Sequence, residues 1–384
     1  MSEDTPRFQP LGRYESPSLP PEKAAKRMLD RVRGLILPSE TPPVIDASDL
    51  DRVGRRELDE IAAPPACGPL LESLTATFGA WLADPERGSP LQLVVLPPCD
   101  EGGLLAAWGR EQGLEILAPP SRGALTGRAA AKVPDLSGPG VLMIPALEAW
   151  FLRTNGGLAP VRALLAALAR TDRRCIVGCN SWAWRYLCKS TDADALLPAG
   201  LTFRAFDGPR LQRWFGDLSE DMDEVASRFR LSRTGTDVFA DETVGRQNYF
   251  VQLAAQSLGI PWIAWAMWRD AIRDAPDADD LPDLDDLPDD DGHTYWIASP
   301  ETFVLPVDRE EDVILTLHAL LLHGRLTPEE LVRVLPTVGD RNTVPALLKA
   351  RLIRRADGAL RCNPVAYPSV RSALSDAGVN LDRL

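Results

Sequence analysis

Short apolar runs alternate with amphipathic stretches between residues 91 and 218, and this alternation constrains the fold more than any other feature. The runs have the length and composition of buried strands, and the intervening stretches have the apolar spacing of helices. The runs lie at 91–98, 114–118, 140–146, 174–180 and 201–206. The helical stretches lie at 104–113, 160–172 and 207–218. Such an order predicts an α/β domain with a parallel sheet and helices on both faces.

The position of a ligand site follows from this architecture. The strands that begin at Leu91 and Val141 are continuous apolar runs without edge-type charges, so we expect both near the centre of the sheet. Ligands of open α/β sheets bind in the crevice beyond the carboxyl ends of the central strands. The residues that follow these two strands are therefore the first candidates for a functional site.

The loop after the first strand resembles the phosphate-binding loop of AAA-type or STAND-type ATPases, in the segment LQLVVLPPCDEGGLLAAW. In those proteins glycine N–H groups surround the phosphates, a lysine binds the outer phosphates and a hydroxyl holds magnesium. The two prolines match, but Leu96 replaces the first glycine, Gly102 replaces the lysine and Gly103 replaces the hydroxyl residue. Asp100 and Glu101 add carboxylates that would repel a triphosphate by roughly several kcal/mol at short range.

The same resemblance extends to three further segments. Pro145 and Ala146 stand at the Walker B acids, and Glu148 lies two places later. Asn180 matches the polar sensor-1 residue, whereas Trp262 stands at the sensor-2 arginine of the helical lid. The resemblance thus implies a P-loop-like fold whose hydrolytic residues are lost, with no cofactor expected. The degenerate nucleotide site comprises Cys99, Asp100, Glu101, Gly102, Gly103, Glu148, Asn180 and Trp262.

The C-terminal part has the sequence order of a winged helix. Helix patterns in DVILTLHALLLHG, LTPEELVRVLP and NTVPALLKARLI precede the strand–turn–strand pattern IRRADGALRCNP. The second of these helices begins with a capping box of Thr327 and Glu330. Basic residues on or beside the third helix and in the wing predict a DNA-binding face there. They are Arg341, Lys349, Arg351, Arg354, Arg355 and Arg361.

The remaining segments give the domain organisation. The expected domains are a flexible tail (1–22), an N-terminal approach (23–66), the P-loop-like α/β domain (67–242), a helical lid (243–273), an acidic linker (274–293) and the winged helix (294–384). The linker assignment rests on ten acidic residues between Asp274 and Asp291 without Lys or Arg.

Bulk composition excludes several function classes. The formal net charge of −13 opposes binding to nucleic acid or anionic lipid except through a local basic patch. The six cysteines and three histidines lack the spacing of a metal site. No signal peptide and no run of about 18 apolar residues is present, so we expect a cytoplasmic protein without a membrane segment.

Two further patterns have a functional and a structural interpretation. Gly123-x-x-x-Gly127-Arg128 is either an alternative phosphate loop or a surface loop. Trp262, Trp265 and Trp268 form either a partner-binding stripe or part of the core, and we favour the core.

Three functional hypotheses follow. The leading one is a catalytically inactive ATPase-like regulatory or scaffold protein that binds a protein partner, such as an intact ATPase relative. The second is a DNA-binding regulator that uses the winged helix. The third is an ATP-binding AAA-type or STAND-type ATPase with an unorthodox phosphate loop.

Overall fold

The fold was analysed in a computed structural model of the chain. The structure describes residues 8–18, 45, 50–62, 67–86, 88–126, 134–220, 228–239, 249–274, 294–299, 301, 303–306, 310–338, 342–382 and 384. The expected acidic linker, apart from Asp274, lies outside these residues, as do 1–7 and 19–22 of the expected tail.

The described residues contain twelve strands and thirteen α-helices, labelled in chain order. The strands are β1 (Phe8–Pro10), β2 (Asp51–Arg52), β3 (Leu91–Leu96), β4 (Glu115–Ile116), β5 (Leu142–Ile144), β6 (Cys175–Asn180), β7 (Leu201–Phe203), β8 (Arg228–Leu231), β9 (Ile272–Asp274), β10 (Thr294–Ile297), β11 (Ile353–Ala356) and β12 (Ala359–Cys362). The helices are α1 (Arg55–Ile61), α2 (Gly68–Ala83), α3 (Leu104–Glu111), α4 (Ala159–Leu168), α5 (Ser181–Thr191), α6 (Ala193–Leu196), α7 (Gly208–Glu220), α8 (Tyr249–Gln256), α9 (Pro261–Ala271), α10 (Glu310–His323), α11 (Pro328–Val334), α12 (Thr343–Lys349) and α13 (Tyr367–Asp376). Within the described residues, none of the helices is long and apolar enough to cross a membrane.

The chain divides into two compact units whose boundaries differ from the expected domains. The first unit combines Met1–Glu15, Ala66–Arg204 and Phe303–Leu384, and the second combines Ser16–Pro65 and Ala205–Thr302. The α/β domain therefore ends near Arg204 rather than at 242, and the C-terminal helices cluster with it. The expected domain boundaries differ from these units because a local change of pattern does not tell which segments pack together.

The sheet of the first unit has the order β1-β7-β3-β6-β5-β4. Its pairs are parallel from β7 to β4, and β1 is antiparallel to β7. The expected parallel α/β class is therefore confirmed. Of the two strands expected near the centre, β3 lies there, whereas β5 lies beyond β6 and next to the edge strand β4. All six residues of β6 are buried, which the sequence run also permits.

The first strand, β1, corrects the expected flexible tail. Phe8 is buried, and the Tyr14 ring packs edge-on against Phe203 at 5.7 Å between ring centroids. Pairing with β7 and this aromatic contact order residues that composition alone assigns to a tail.

Helices cover both faces of this sheet. On one face, residues of α4 such as Leu164 and Leu165 form a buried cluster with Val95 and Val177. On the other face, α3 approaches so closely that a Cβ on Gly178 would lie 2.4 Å from Leu105 and 2.3 Å from the Pro145 carbonyl. Gly178 is therefore needed for this close packing.

The second unit holds α8 and α9, which lie in the expected helical lid (243–273), and it also contains strands. It contains a four-stranded sheet of order β2-β9-β10-β8, with β10 parallel to β8 and antiparallel to β9. Aromatic residues from α7, α8, α9 and this sheet form its core, including contacts of Trp268 with Phe229 at 5.0 Å and of Trp265 with Phe215 at 4.8 Å. The sheet was missed because its strands are short and pair across long chain separations.

The C-terminal elements follow the order expected for a winged helix. Helices α10, α11 and α12 precede the β11–β12 hairpin, and Leu326 forms an isolated antiparallel bridge with Leu360. The capping box is present, since Thr327 Oγ1 accepts the Glu330 N–H and Glu330 accepts the Thr327 N–H. The 294–297 segment belongs to the second unit instead.

Candidate functional site

The carboxyl ends of β3, β5 and β6 open into one cavity of about 340 Å³. Its wall contains the loop after β3, the Pro145–Glu148 turn after β5 and the end of β6 at Asn180. The structure thus brings together Cys99, Asp100, Glu101, Gly103, Glu148 and Asn180 of the expected site. The shared crevice arises because the carboxyl ends of parallel strands meet at one edge of a sheet.

In the loop after β3, the carboxylate of Asp100 lies at the N-terminus of α3. Asp100 Oδ1 accepts the Gly103 N–H at 3.0 Å, and Asp100 Oδ2 accepts the Leu104 N–H at 2.7 Å. A further bond comes from the Gly102 N–H. Such amides at a helix N-terminus are the donors that a phosphate would use. Burial nevertheless raises the pKa of Asp100, although Glu101 and Gly102 of the same loop are exposed.

The second carboxylate of the cavity is Glu148, which lies in a 3₁₀ turn (Leu147–Trp150) after β5. One of its oxygens accepts the Asn180 N–H at 3.1 Å. Burial raises the pKa of Glu148 to about 7, and the neighbouring charge of Asp100 acts in the same direction. The two carboxylates therefore lie close enough to repel each other in a region of low solvation.

Asn180 uses both ends of its amide within the fold. Its Oδ1 accepts the Ala183 N–H at 2.8 Å and caps α5, and its Nδ2 donates to the Leu322 carbonyl at 3.4 Å. The side chain that resembles a sensor residue is thus bonded to structure on both sides.

The C-terminal elements form the opposite wall of the cavity. Arg325, Arg361 and Cys362 line it, and Arg354 of β11 forms an ion pair with Glu101 in the loop. Among the described lining residues there is no lysine, so the positive charge facing the crevice comes from arginines of this wall. The sequence alone did not place these arginines at the cavity, because they lie more than 200 residues from the loop along the chain.

Further bonds hold these elements against the sheet. Arg122 forms a bidentate pair with Glu330 at 2.8 and 3.0 Å and donates to the Arg325 carbonyl at 3.0 Å. Ser181 donates to the buried carboxylate of Asp382. Arginine forks and buried acceptors of this kind fix orientation as well as position.

Two histidines lie on α10: His323 is buried and lines the cavity, whereas His318 is half-buried. Burial lowers the pKa of His318 to about 4 and that of His323 to about 3, with nearby arginines adding to both shifts. His323 Nε2 accepts the Arg153 N–H at 3.4 Å, and the Phe151 ring lies 5.0 Å away. Both imidazoles are therefore neutral structural groups at physiological pH.

The expected DNA-binding residues do not share one environment. Lys349 and Arg355 are exposed, and the Arg351 guanidinium lies 5.9 Å from the Phe303 ring centroid. Arg341 lies outside the described residues. Two others are engaged within the fold, since Arg354, whose side chain is 38% exposed, pairs with Glu101 and Arg361 lines the cavity.

The remaining expected features are the tryptophan stripe and the alternative phosphate loop. Trp262 belongs to the second unit and is not among the lining residues, although we expected it in the crevice. Trp262, Trp265 and Trp268 are 6, 4 and 3% exposed, as the core interpretation of this stripe requires. In the alternative phosphate loop, Gly127 and Arg128 lie outside the described part of the chain.

Comparisons with known proteins give similarity to solved structures only. No protein-family model matches the sequence, and no curated protein matches it. RuvB of Thermotoga maritima (R170A) is 15% identical, with a TM-score of 0.35 over 80% of this chain and 97% of that chain. Cdc6p of Pyrobaculum aerophilum is 11% identical, with a TM-score of 0.30 over 83% and 96%. Drosophila ORC bound to DNA is 13% identical, with a TM-score of 0.28 over 91% and 99%. Identities and TM-scores this low carry no argument about the family or the activity of this chain. The strand order and the residues of the crevice therefore carry the functional inference.

Proposed function

We propose that this protein is a catalytically inactive, P-loop ATPase-like regulatory or scaffold protein that acts through protein contacts. The observation that carries the proposal is the Asp100 carboxylate, which occupies the N–H groups of Gly103 and Leu104. A phosphate-binding loop needs these donors for its ligand.

Displacing Asp100 would not restore a nucleotide site. The carboxylate is covalently attached to the loop, so it stays beside any phosphate that replaces it. Glu148 adds a second, half-buried carboxylate to the same cavity, and burial and the charge of Asp100 raise its pKa. Because no lysine is found among the described lining residues, nothing from the loop neutralises a triphosphate.

Hydrolysis also needs groups that bind magnesium and orient water. Glu148 is bonded to the Asn180 N–H, and the Asn180 amide is bonded on both sides. These bonds support a structural role for the residues that resemble catalytic ones. A retained fold without this chemistry is suited to binding a protein partner, and an intact ATPase relative is the partner we propose.

The test uses the purified full chain with magnesium and ATP. We expect no hydrolysis above background and no rise in melting temperature at millimolar nucleotide, because stabilisation requires binding to the folded state. The double variant Gly102→Lys with Gly103→Ser should stay inactive, since Asp100 and the missing Walker B acids are unchanged. A clear rise in melting temperature for the wild type would contradict the proposal and favour an ATP-binding protein with an unorthodox loop.

The second candidate function is DNA binding through the winged helix. The exposed positions of Lys349 and Arg355, on α12 and the β11–β12 hairpin, support it. The inward positions of Arg354 and Arg361 leave a smaller basic surface than the sequence suggested.

A further inference from the structure

The cavity at the carboxyl ends of β3, β5 and β6 has acidic groups on one wall and basic groups on the other. Asp100 and Glu148 belong to the loop and the turn that follow the strands, whereas Arg325 and Arg361 belong to the C-terminal elements. Among the ion pairs of the described residues, none joins either of these carboxylates to either guanidinium. The cavity therefore separates opposite charges that do not neutralise each other directly.

The acidic wall lacks a cationic partner within the described part of the chain. Burial raises the pKa of Asp100, and burial together with the charge of Asp100 raises the pKa of Glu148 to about 7. A guanidinium beside either carboxyl group would shift its pKa in the opposite direction. Glu101 differs from both, since it pairs with Arg354. An ammonium group is the ligand chemistry that Asp100 and Glu148 can bind.

The basic wall has arginines that are available to a carboxylate. The Arg361 side chain reaches Asp357 only at 3.9 Å, and the Asp357 side chain is 86% exposed, so this ion pair contributes little. Arg325 is exposed, and it is its carbonyl that accepts the bond from Arg122. A guanidinium can bind a carboxylate through two parallel N–H···O bonds.

Two buried nitrogen atoms of this wall have no hydrogen-bond partner within the described residues. They are Nε of Arg361 and Nδ1 of His323, and both residues line the cavity. Because His323 Nε2 accepts the Arg153 N–H, Nδ1 carries the proton of the neutral ring. Buried donors are nearly always hydrogen-bonded in proteins, so this wall is where we expect the oxygen atoms of a ligand.

The volume and the remaining lining limit the size and polarity of the ligand. The cavity of about 340 Å³ lies at the lower end of the range of roughly 300–1,000 Å³ that small-molecule sites occupy. The remaining lining is largely apolar and includes Leu96, Leu105 and Pro119. Such a site is suited to a small ligand with an apolar body and charged ends.

We propose that the cavity binds a free amino acid with an apolar side chain, whose ammonium group pairs with Asp100 and Glu148 and whose carboxylate pairs with Arg325 and Arg361. A simple anion would satisfy the arginines but would face the two carboxylates, and a simple cation would have the reverse problem. A zwitterion satisfies both walls at once. This inference goes beyond the proposed scaffold function, since it adds a small-molecule ligand to the crevice.

The experiment uses the purified full-length chain and a matched set of ligands at millimolar concentration. L-Leucine, L-valine, L-methionine and L-phenylalanine represent the proposed class, whereas leucinamide lacks the carboxylate and N-acetyl-L-leucine lacks the ammonium group. At least one of the four amino acids should raise the melting temperature by about 2 °C or more. In calorimetry leucinamide and N-acetyl-L-leucine should bind at least about tenfold more weakly than L-leucine, because each loses one set of charged hydrogen bonds.

Matched variants place the ligand in the cavity. Arg361→Gln and Glu148→Gln should each weaken amino-acid binding by about tenfold or more, because each removes a charged hydrogen bond. Arg333→Gln, an exposed change on α11 outside the lining residues, should leave binding unchanged.

Three results would overturn the proposal: no response to any of the four amino acids, binding of N-acetyl-L-leucine or leucinamide as tight as that of L-leucine, or full affinity in the folded Arg361→Gln variant. The ligand series on the wild type decides the question even where a variant does not fold. Because the response to magnesium and ATP is measured separately, a missing amino-acid response leaves the proposed loss of nucleotide binding unaffected.

Discussion

The substitution Glu148→Gln tests how far the crevice shields the carboxyl group of Glu148 from solvent. Glutamine has nearly the same shape, and its amide oxygen can still accept the Asn180 N–H that Glu148 accepts at 3.1 Å. It differs in having no charge, so it removes only the cost of ionising a buried carboxyl group.

The size of the effect follows from the pKa of Glu148, which is about 7 in the fold against 4.5 for the ordinary group. Between these values the folded state keeps a proton that the unfolded state has lost, so the contribution of Glu148 to stability falls as the pH rises from 4.5 to 7 and then levels off. At about 1.4 kcal/mol per pH unit, this is about 3 kcal/mol. Glu148→Gln should therefore leave stability nearly unchanged near pH 4.5 and increase it by about 3 kcal/mol at pH 8.

Urea denaturation of both proteins at pH 5 and pH 8 measures this difference. Glu111→Gln, an exposed change at the end of α3, is the matched control and should show no comparable pH dependence. An equal effect of Glu148→Gln at both pH values, or a loss of stability at pH 8, would refute the idea of a dry crevice with two opposed carboxylates.

Three other predictions concern the cap, the histidines and the basic surface. Asp100→Ala should lower the unfolding free energy by about 1 kcal/mol because two helix N–H groups lose their acceptor, and an unchanged denaturation midpoint would exclude the capping role. The histidine contribution to stability should fall as the pH is lowered from 6.5 to 4, because unfolded histidines gain protons there while His318 and His323 stay neutral in the fold. Each histidine should lower the free energy of unfolding by about 2 kcal/mol at pH 5. The variant His323→Gln should therefore flatten the pH profile of denaturation. If the protein binds DNA, Arg355→Ala should reduce the log–log salt slope by about one unit in fluorescence anisotropy of a mixed duplex, whereas Arg354→Ala should reduce it less; equal effects would contradict the inward position of Arg354.

The local pattern of the sequence was sufficient for the main elements of the first unit. The apolar runs at 91–96 and 175–180 became strands, and the capping box at Thr327 began a helix, because each signal depends on neighbouring residues. The sequence also showed that the loop lacks a lysine and a hydroxyl residue at the P-loop positions, because both positions lie within one short segment.

Long-range pairing decided what the sequence did not reveal. β1 forms a strand only because it pairs with β7, which lies nearly 200 residues away in the sequence. β6 lies between β3 and β5 because of crossover connections, which local patterns do not specify. The short strands of the second unit have the same origin.

The site itself shows the same division. Sequence reasoning placed Asp100 in the loop as a repulsive charge, but only the backbone conformation turned its carboxylate onto the amides of α3. It likewise counted Arg354 and Arg361 as a DNA-binding surface, whereas in the fold Arg354 pairs with Glu101 and Arg361 lines the cavity. The chemistry of each side chain follows directly from the sequence, whereas the partner of each side chain depends on which distant segments are buried together.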